Sequence, residues 1–365
     1  MKAKVRLPRV PLRRSVAKLE PYSAPVEGRA GKLRLDFNEN TGGCSPAVLR
    51  ALRSLTPEQI AICPEYEAAT ARLARFFTVR PDEMLLTNGV DDALHVLMDT
   101  FVEPGGTVVI VEPTFNMYRF YAQLAGARIR ALRYEIEMRY EPATRFPQAR
   151  VLQALRRKPR ALLLASPNNP TGTVIAQKQI RALLLAAPRT LVLVDEAYFE
   201  FSGVSVLPWI RKYPNLVVSR TFSKTAALAG LRLGCLFAAK EMIAALKRAD
   251  SPYPVNTAAL AAAEAVIREP RIMRDYAEQI VRNRAPLMKS LKNMRARVYP
   301  SGANFLLVDF GEDATRMLKR LQRQGILLRD RASEFGREGF VRITVGTASQ
   351  NDRLLGAIRA YKDSQ

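Results

Sequence analysis

The stretch SRTFSKTAALAGLRLG, residues 219–234, sets a single amine, Lys224, between small polar residues and an apolar run, with Arg232 eight positions further on. Taken alone, a lysine is a solvated surface cation, so its meaning depends on what else the chain supplies. VLVDEAY puts Asp195 at the end of an apolar run, where a carboxylate is costly unless a positive group meets it. By itself Asp195 reads equally as a helix cap or one half of a buried ion pair. SPNNPTG is a turn held by proline and glycine that presents Asn169, and alone it is simply a good turn. Around Lys224 stand the hydroxyls of Thr221 and Ser223 and glycines that permit close backbone approach. Taken together, these groups match a cofactor with an aldehyde, a protonatable ring nitrogen, a phenolic oxygen and a phosphate. The amine forms a Schiff base, the carboxylate keeps the ring nitrogen protonated, and the amide with a tyrosine bonds the phenolic oxygen. Hydroxyls, an arginine and helix-N-terminal amides suit the phosphate. Pyridoxal 5'-phosphate (PLP) is that cofactor.

Such groups need a frame that delivers them to one place. From about residue 83, short apolar runs alternate with longer periodic segments: EMLLTNG, DDALHVLMDTFV, TVVIVEP, FNMYRFYAQLAGA, RIRALRY, RALLLASPNNPTG, QKQIRALLLAA, TLVLVDEAYFEF, NLVVSRTFSK and LGCLFAA. Short apolar runs followed by helical patterns predict strands and crossover helices, hence an α/β unit whose largely parallel sheet is buried on both faces. Ligands in such sheets sit beyond the carboxyl ends of the strands, where Asn88, Gly89, Asn168, Asn169, Asp195, Ser223 and Lys224 fall. After about residue 250 the pattern changes to long helical stretches (258–294), then ANFLLVDF, a helix from Ala314, GILLRD, FVRITVG and a last helix from Gln350. This predicts a smaller α+β domain. The expected division is an arm over 1–40 joining the small domain, a large cofactor-binding domain over 41–250 and the small domain over 251–365.

Composition narrows the function classes. A chain of 365 residues with 48% hydrophobic content can hold two full cores. No apolar run approaches the roughly 18 to 20 residues of a membrane span. The first 19 residues carry seven Lys or Arg and no acid, without the apolar stretch of a signal peptide, and Pro8 and Pro11 spoil an amphipathic helix. The expectation is a basic arm on a cytoplasmic protein without a membrane partner. Three widely spaced cysteines and a single histidine, His95, form neither a disulfide framework nor a metal motif. The excess of 57 basic over 34 acidic residues, net +23, attracts anions of any kind. The basic residues are spread along the whole chain with no nucleic-acid-binding motif, which favours solubility or a small phosphorylated ligand over specific nucleic-acid binding.

The ordered set LDFNEN, TNGVDDAL, EPTFNMY, SPNNPTG, VDEAYFEF, SRTFSKTAALAGLRLG, GILLRD and RITVGT resembles the fold-type I PLP-dependent aminotransferases, and most of all their branch acting on L-histidinol phosphate. The likeness runs from LEPYSAP near the start to RITVGT near the end. It implies a seven-stranded large domain, and Lys224 as the residue that carries the cofactor and moves the proton at the substrate's α-carbon. It implies Asp195 on the pyridine nitrogen and Asn169 and Tyr198 on the phenolic oxygen. The phosphate would rest on the backbone amides of Val90 and Asp91 and on Thr221, Ser223 and Arg232. Phe115, at a position often tyrosine in the family, would stack on the ring, and Tyr22, Asn38, Arg329 and Arg342 would hold the substrate's anionic end. The implied reaction exchanges an amino group between L-histidinol phosphate and 2-oxoglutarate, a step of histidine biosynthesis, in a homodimer with shared sites. Aromatic amino-acid aminotransferase and threonine-phosphate decarboxylase are the neighbouring alternatives; an anion- or nucleic-acid-binding protein on the same fold is the alternative of another class. One position departs from the family: AICPEYEAAT has Cys63 where a tyrosine reaching the neighbour's cofactor phosphate is usual, with Tyr66 or a water as the possible substitute.

Overall fold

The computed structural model describes residues 10–21, 27–138 and 141–364. Seven strands form the large sheet: β1 (Met84–Thr87), β2 (Thr107–Glu112), β3 (Arg128–Arg133), β4 (Ala161–Ala165), β5 (Leu191–Asp195), β6 (Leu216–Thr221) and β7 (Gly234–Ala238). Their order across the sheet is β1-β7-β6-β5-β4-β2-β3. Of these seven, β7 alone runs antiparallel to its neighbours. The sequence reason lies in runs such as ALLLA and LVLVD, apolar at nearly every position and buried throughout. Alternate side chains of a strand point to opposite faces. Leu162, Leu164, Val192 and Val194 accordingly join one core layer with Leu73, Val151, Ile180 and Ala262 of the covering helices. Leu163 and Leu193 join the other layer, with Leu94 and Leu97 of α1 (Gly89–Phe101) and Tyr118 and Ala122 of α2 (Asn116–Leu124). Each such leucine contributes roughly 1.5 to 3 kcal/mol when fully buried, which makes the sheet a rigid platform.

The strand order brings the polar strand ends to one edge. Asp195 stands opposite Ala165 of β4 and Ser219 of β6, so the turn after β4, the end of β5 and the segment after β6 meet. Because β7 is antiparallel, its first residue, Gly234, lies beside Thr87 of β1 and Thr221 of β6. That register carries Arg232 to the start of α1.

The second sheet contains β8 (Arg297–Val298), β9 (Phe305–Asp309), β10 (Arg329–Asp330) and β11 (Phe340–Thr344), ordered β8-β9-β11-β10 and antiparallel. Its core of Phe305, Val308, Ile343, Leu354 and Ile358 also takes in Leu35, Tyr198 and Phe201 from earlier in the chain. Leu33–Arg34 pairs in parallel with Ile326–Leu327, and Thr344 N donates to Leu35 O at 2.9 Å. One expectation needs refinement. GILLRD is not one strand, since Ile326–Leu327 pairs with the amino-terminal segment while Arg329–Asp330 joins the second sheet. The helical stretches over 258–294 are two helices, α3 (Thr257–Arg268) and α4 (Arg271–Asn293), parted at Glu269 and Pro270. No helix among the described residues is long and apolar enough to cross a membrane.

Candidate active site

The converging strand ends open onto a cavity of about 460 Å³. Lys224 follows β6, and its Nζ donates to the carbonyl of Phe37 at 3.2 Å and lies 5.5 Å from the Tyr198 ring centroid. Among the described residues, Lys224 is the only lysine lining the cavity. Asp195, 5% exposed, is not among the residues lining the cavity. Tyr118 donates its hydroxyl to Oδ2 at 2.9 Å, while Ser219 Oγ and the Ala197 amide donate to Oδ1 at 2.9 and 3.1 Å. Burial pushes the Asp195 carboxyl up to about 6, although its three donors pull the other way. Burial and the neighbouring Asp195 raise Tyr118 well above the ordinary phenol range, which keeps it a neutral donor. This carboxylate is thus one positive charge short of a comfortable environment.

Asn169 follows β4, anchored by the fully buried Asn168, whose amide donates to Pro113 O at 2.9 Å and accepts from Thr114 at 2.7 Å. Asn169 Oδ1 accepts from Arg342 Nη1 at 2.6 Å and Arg331 Nη2 at 3.3 Å. The Tyr198 hydroxyl accepts from Asn38 Nδ2 at 3.0 Å. Asn38 itself is fixed by Thr344 and Asn304.

At the other end, α1 begins without a side-chain cap, which leaves first-turn amides for an anion. Gly89 has φ +77°, and a Cβ there would stand 2.6 Å from Arg232 Nη2; one on Gly234 would stand 2.7 Å from the Gly89 carbonyl carbon. Only glycine lets the guanidinium and the helix start approach this closely. Arg232 also pairs with Asp91 at 3.1 Å.

Arg329 and Arg342 stand directly opposite each other on β10 and β11, and Arg331, just past the end of β10, also lines the cavity. Like charges placed opposite cost roughly 0.2 to 1 kcal/mol, so the pairing calls for an anion. Burial, then Arg331 and Arg329, lower Arg342 to about 9. Its Nε is buried with no partner among the described residues, whereas Nη2 donates to the carbonyl of Asp36.

The cavity wall therefore gathers Phe115, Asn169, Tyr198, Ser223, Lys224 and Arg232 with Asp91, Arg329 and Arg342. Val90 and Thr221 are not in that wall; Thr221 Oγ1 accepts from the Ser223 amide at 3.0 Å and so shapes the turn. Tyr22 lies outside the described residues. Residues of the site that were not singled out from the sequence include Tyr118, Arg29, Phe37, Glu39 and Arg331. A spacing signal exists for Tyr118, three residues after Phe115, whose ring it meets edge-on with centroids 5.8 Å apart; Arg331 lies just past the end of β10.

An α/β sheet that presents one amine, one buried carboxylate and a basic anion pocket at its strand ends defines an enzyme built around a phosphorylated carbonyl cofactor. Comparison with known proteins gives the same class. The family model "Aminotransferase class I and II" matches residues 30–358. A histidinol-phosphate aminotransferase of Caldanaerobacter subterraneus is 36% identical over 338 residues, 92% of this chain and 94% of that one. One from Symbiobacterium thermophilum is 36% identical over 362 residues, 96% and 98% of the two chains. Among solved structures, the histidinol-phosphate aminotransferase of Sinorhizobium meliloti, in complex with pyridoxal-5'-phosphate, has a TM-score of 0.79 at 24% identity, covering 90% of this chain and 91% of that one. The L-threonine-O-3-phosphate decarboxylase of Porphyromonas gingivalis has a TM-score of 0.78 at 23% identity over 90% and 99%, so the fold does not decide the reaction. The chain belongs to the class I and II aminotransferases. It is an enzyme of the PLP-dependent kind, and the bare helix start beside Arg232, the single amine and the buried carboxylate fit that cofactor.

Proposed function

We propose that the cavity transaminates L-histidinol phosphate with 2-oxoglutarate as acceptor. The observation that carries this reading is the cluster of Arg329, Arg331 and Arg342 in the cavity that holds Lys224, because a dianionic phosphate satisfies several guanidinium groups at once. Arg331 is paired with Glu334 at 2.7 Å, so Arg329 and Arg342 carry the charge for the donor to meet, and a singly charged carboxylate, as on an aromatic amino acid, would offset one of the two.

PLP, when bound, supplies the carbonyl that takes up the amino group and the ring that takes up the electrons of the broken bond. Lys224 Nζ would hold it covalently and, when free, would serve as the base at the substrate's α-carbon. Asp195 would pair with the ring nitrogen. Asn169 and Tyr198 would donate to the phenolic oxygen, and Phe115 would pack against the ring. The amides of Val90 and Asp91, the hydroxyls of Thr221 and Ser223, and Arg232 would hold the cofactor phosphate. Arg329 and Arg342, with Asn38 and Tyr22, orient the donor's anionic end. The division near residues 40 and 250 is part of this reading, as is a cytoplasmic location.

A steady-state screen of L-histidinol phosphate against phenylalanine, tyrosine and threonine phosphate tests the reaction. The expected result is the highest kcat/KM for histidinol phosphate; preference for an unphosphorylated aromatic donor, or carbon dioxide release from threonine phosphate, replaces the proposal. Within this reading, Arg342→Gln and Arg329→Gln are each expected to lower kcat/KM for the phosphorylated donor about 10- to 100-fold, the worth of one charge-assisted hydrogen bond. An uncharged amine should be much less affected. Equal losses on both donors would assign the arginines a structural role.

The assembly we propose is a homodimer. Ile60, Ile62 and Tyr253 are exposed by 68, 53 and 60%, and the Tyr66 hydroxyl, donating to Val255 O at 2.7 Å, joins the two stretches that carry them. A second copy would cover this apolar surface. Cys63 is exposed in the same stretch. The Tyr66 hydroxyl bonds Val255, from whose amide it also accepts at 3.4 Å, which supports the reading that it does not stand in for the missing tyrosine. Cys63→Tyr is therefore expected to tighten PLP retention by up to about two decades, since a thiol is a weak donor. Dialysis with absorbance detection measures this, and PLP loss no slower than from the parent would refute it.

A further inference from the structure

The cavity is cationic on nearly every side, and Glu39 is the exception that the roles above leave unused. Among the described residues two carboxylates line it, Asp91 and Glu39. Asp91 is taken by Arg232 at the start of α1. Glu39 stands at the substrate end, following Asn38 and two residues from Phe37. Arg29 lies 4.1 Å and Arg329 5.7 Å from the centroid of the Phe37 ring, so the guanidinium that touches Glu39 and one that awaits the substrate's anion share one aromatic surface.

Glu39 is not required to order Arg29. Asp36 already takes the Arg29 guanidinium in bidentate fashion, with Nε at 3.1 Å and Nη2 at 2.7 Å. Arg29 then gives Glu39 one further hydrogen bond per oxygen, from Nη1 at 3.0 Å and Nη2 at 2.9 Å. An ionised carboxylate has roughly four acceptor positions, so two remain. Burial favours the protonated form of Glu39, but Arg29, Arg34 and Lys224 outweigh it and hold the group below the ordinary carboxylate range. At neutral pH Glu39 is thus an acceptor with unused capacity, its side chain 23% exposed.

We infer that Glu39 is a specificity residue that accepts a hydrogen bond from a ring N–H on the amino donor, so that the site selects imidazole-bearing donors over phenyl-bearing ones of the same size. This rests on the transamination reading above. Imidazole carries an N–H in both its neutral and charged forms, and phenyl carries none. A phenyl ring lodged there strips water from the carboxylate and returns nothing, and sites built to bond a substrate N–H or O–H discriminate strongly against analogues that lack it. Below the imidazole pKa of about 6.5 the contact becomes an ion pair as well.

The test uses the PLP-loaded enzyme and two matched donor pairs differing only in the ring: L-histidinol phosphate with 2-amino-3-phenylpropyl phosphate, and L-histidine with L-phenylalanine. Glu39→Leu, which leaves Asp36 to hold Arg29, is expected to lower kcat/KM for the imidazole member of each pair about 10- to 100-fold. The phenyl member should be unchanged or improved. Glu39→Gln keeps a neutral acceptor and should fall between the parent and the leucine variant. Equal losses on both members of a pair in the glutamine variant would overturn the proposal, as would equal kcat/KM for them in the parent. If the parent ignores both phosphorylated donors yet still separates histidine from phenylalanine through Glu39, the phosphate reading fails and the role of Glu39 stands.

Discussion

Lys224→Ala is expected to abolish amino-group transfer while leaving the protein folded. Loss of a positioned acid–base group alone slows proton transfer about 10²- to 10⁴-fold, and the same change removes the amine proposed to hold the cofactor. No other lysine among the described residues lines the cavity, so no neighbour takes over. The fold should survive, because the structure records one hydrogen bond from Nζ, to the Phe37 carbonyl at 3.2 Å, and the platform beneath is the apolar sheet. Turnover and the visible absorbance of covalently held PLP are the two measurements. Near-parental turnover in the purified variant would remove Lys224 from the reaction.

Asp195→Asn comes next in size. Asparagine keeps the shape and removes the charge that would hold a proton on the ring nitrogen, so kcat should fall by roughly 10²- to 10³-fold, the usual cost of losing a preorganised electrostatic group. KM should change less, because the interaction matters most in the transition state. A second readout does not depend on turnover. In the cofactor-free protein burial raises this carboxyl from 3.8 to about 6, so the folded chain binds the proton more tightly than the unfolded one. That contribution to stability is present below about pH 4 and is lost as the pH rises through about 6. It is worth at most about 3 kcal/mol for a shift near two units. The asparagine side chain of the variant cannot titrate, so across this window the melting temperature of the cofactor-free parent should fall relative to that of the variant. Parallel melting curves, or equal activity of variant and parent, would rule out the role.

What could be read from the chain alone follows from local chemistry. ALLLA and the LVLV of β5 are apolar at every position, a pattern suited to a strand covered on both faces, and the polar residues that close such runs mark their carboxyl ends. Lys224, Asp195 and Asn169 could be singled out because each follows such a run within a few residues. GILLRD shows where this reasoning stops. Its six residues look like one strand, yet Leu33–Arg34 claims Ile326–Leu327 while Phe340–Thr344 claims Arg329–Asp330, and pairing partners are not written in a strand's own residues.

The partners of the charged side chains were equally out of reach. Arg342 spans 306 residues to bond the Asp36 carbonyl, Asn169 is met by Arg342 from the second sheet and by Arg331 beside it, and Tyr118 crosses 77 residues to reach Asp195. None of these contacts leaves a periodic trace, because a hydrogen bond depends on where two backbones come to lie and not on the spacing within either. The sequence by itself determined the class of chemistry and the layered α/β frame, since apolar runs, turns and their terminal polar residues are local properties. The tertiary structure alone decided that β7 turns back to seat Arg232 on Gly89, that like charges face each other on β10 and β11, and that Glu39 is left with acceptor capacity in a cationic cavity. Each of those depends on register between segments distant in the chain, which only the packing of the two cores sets.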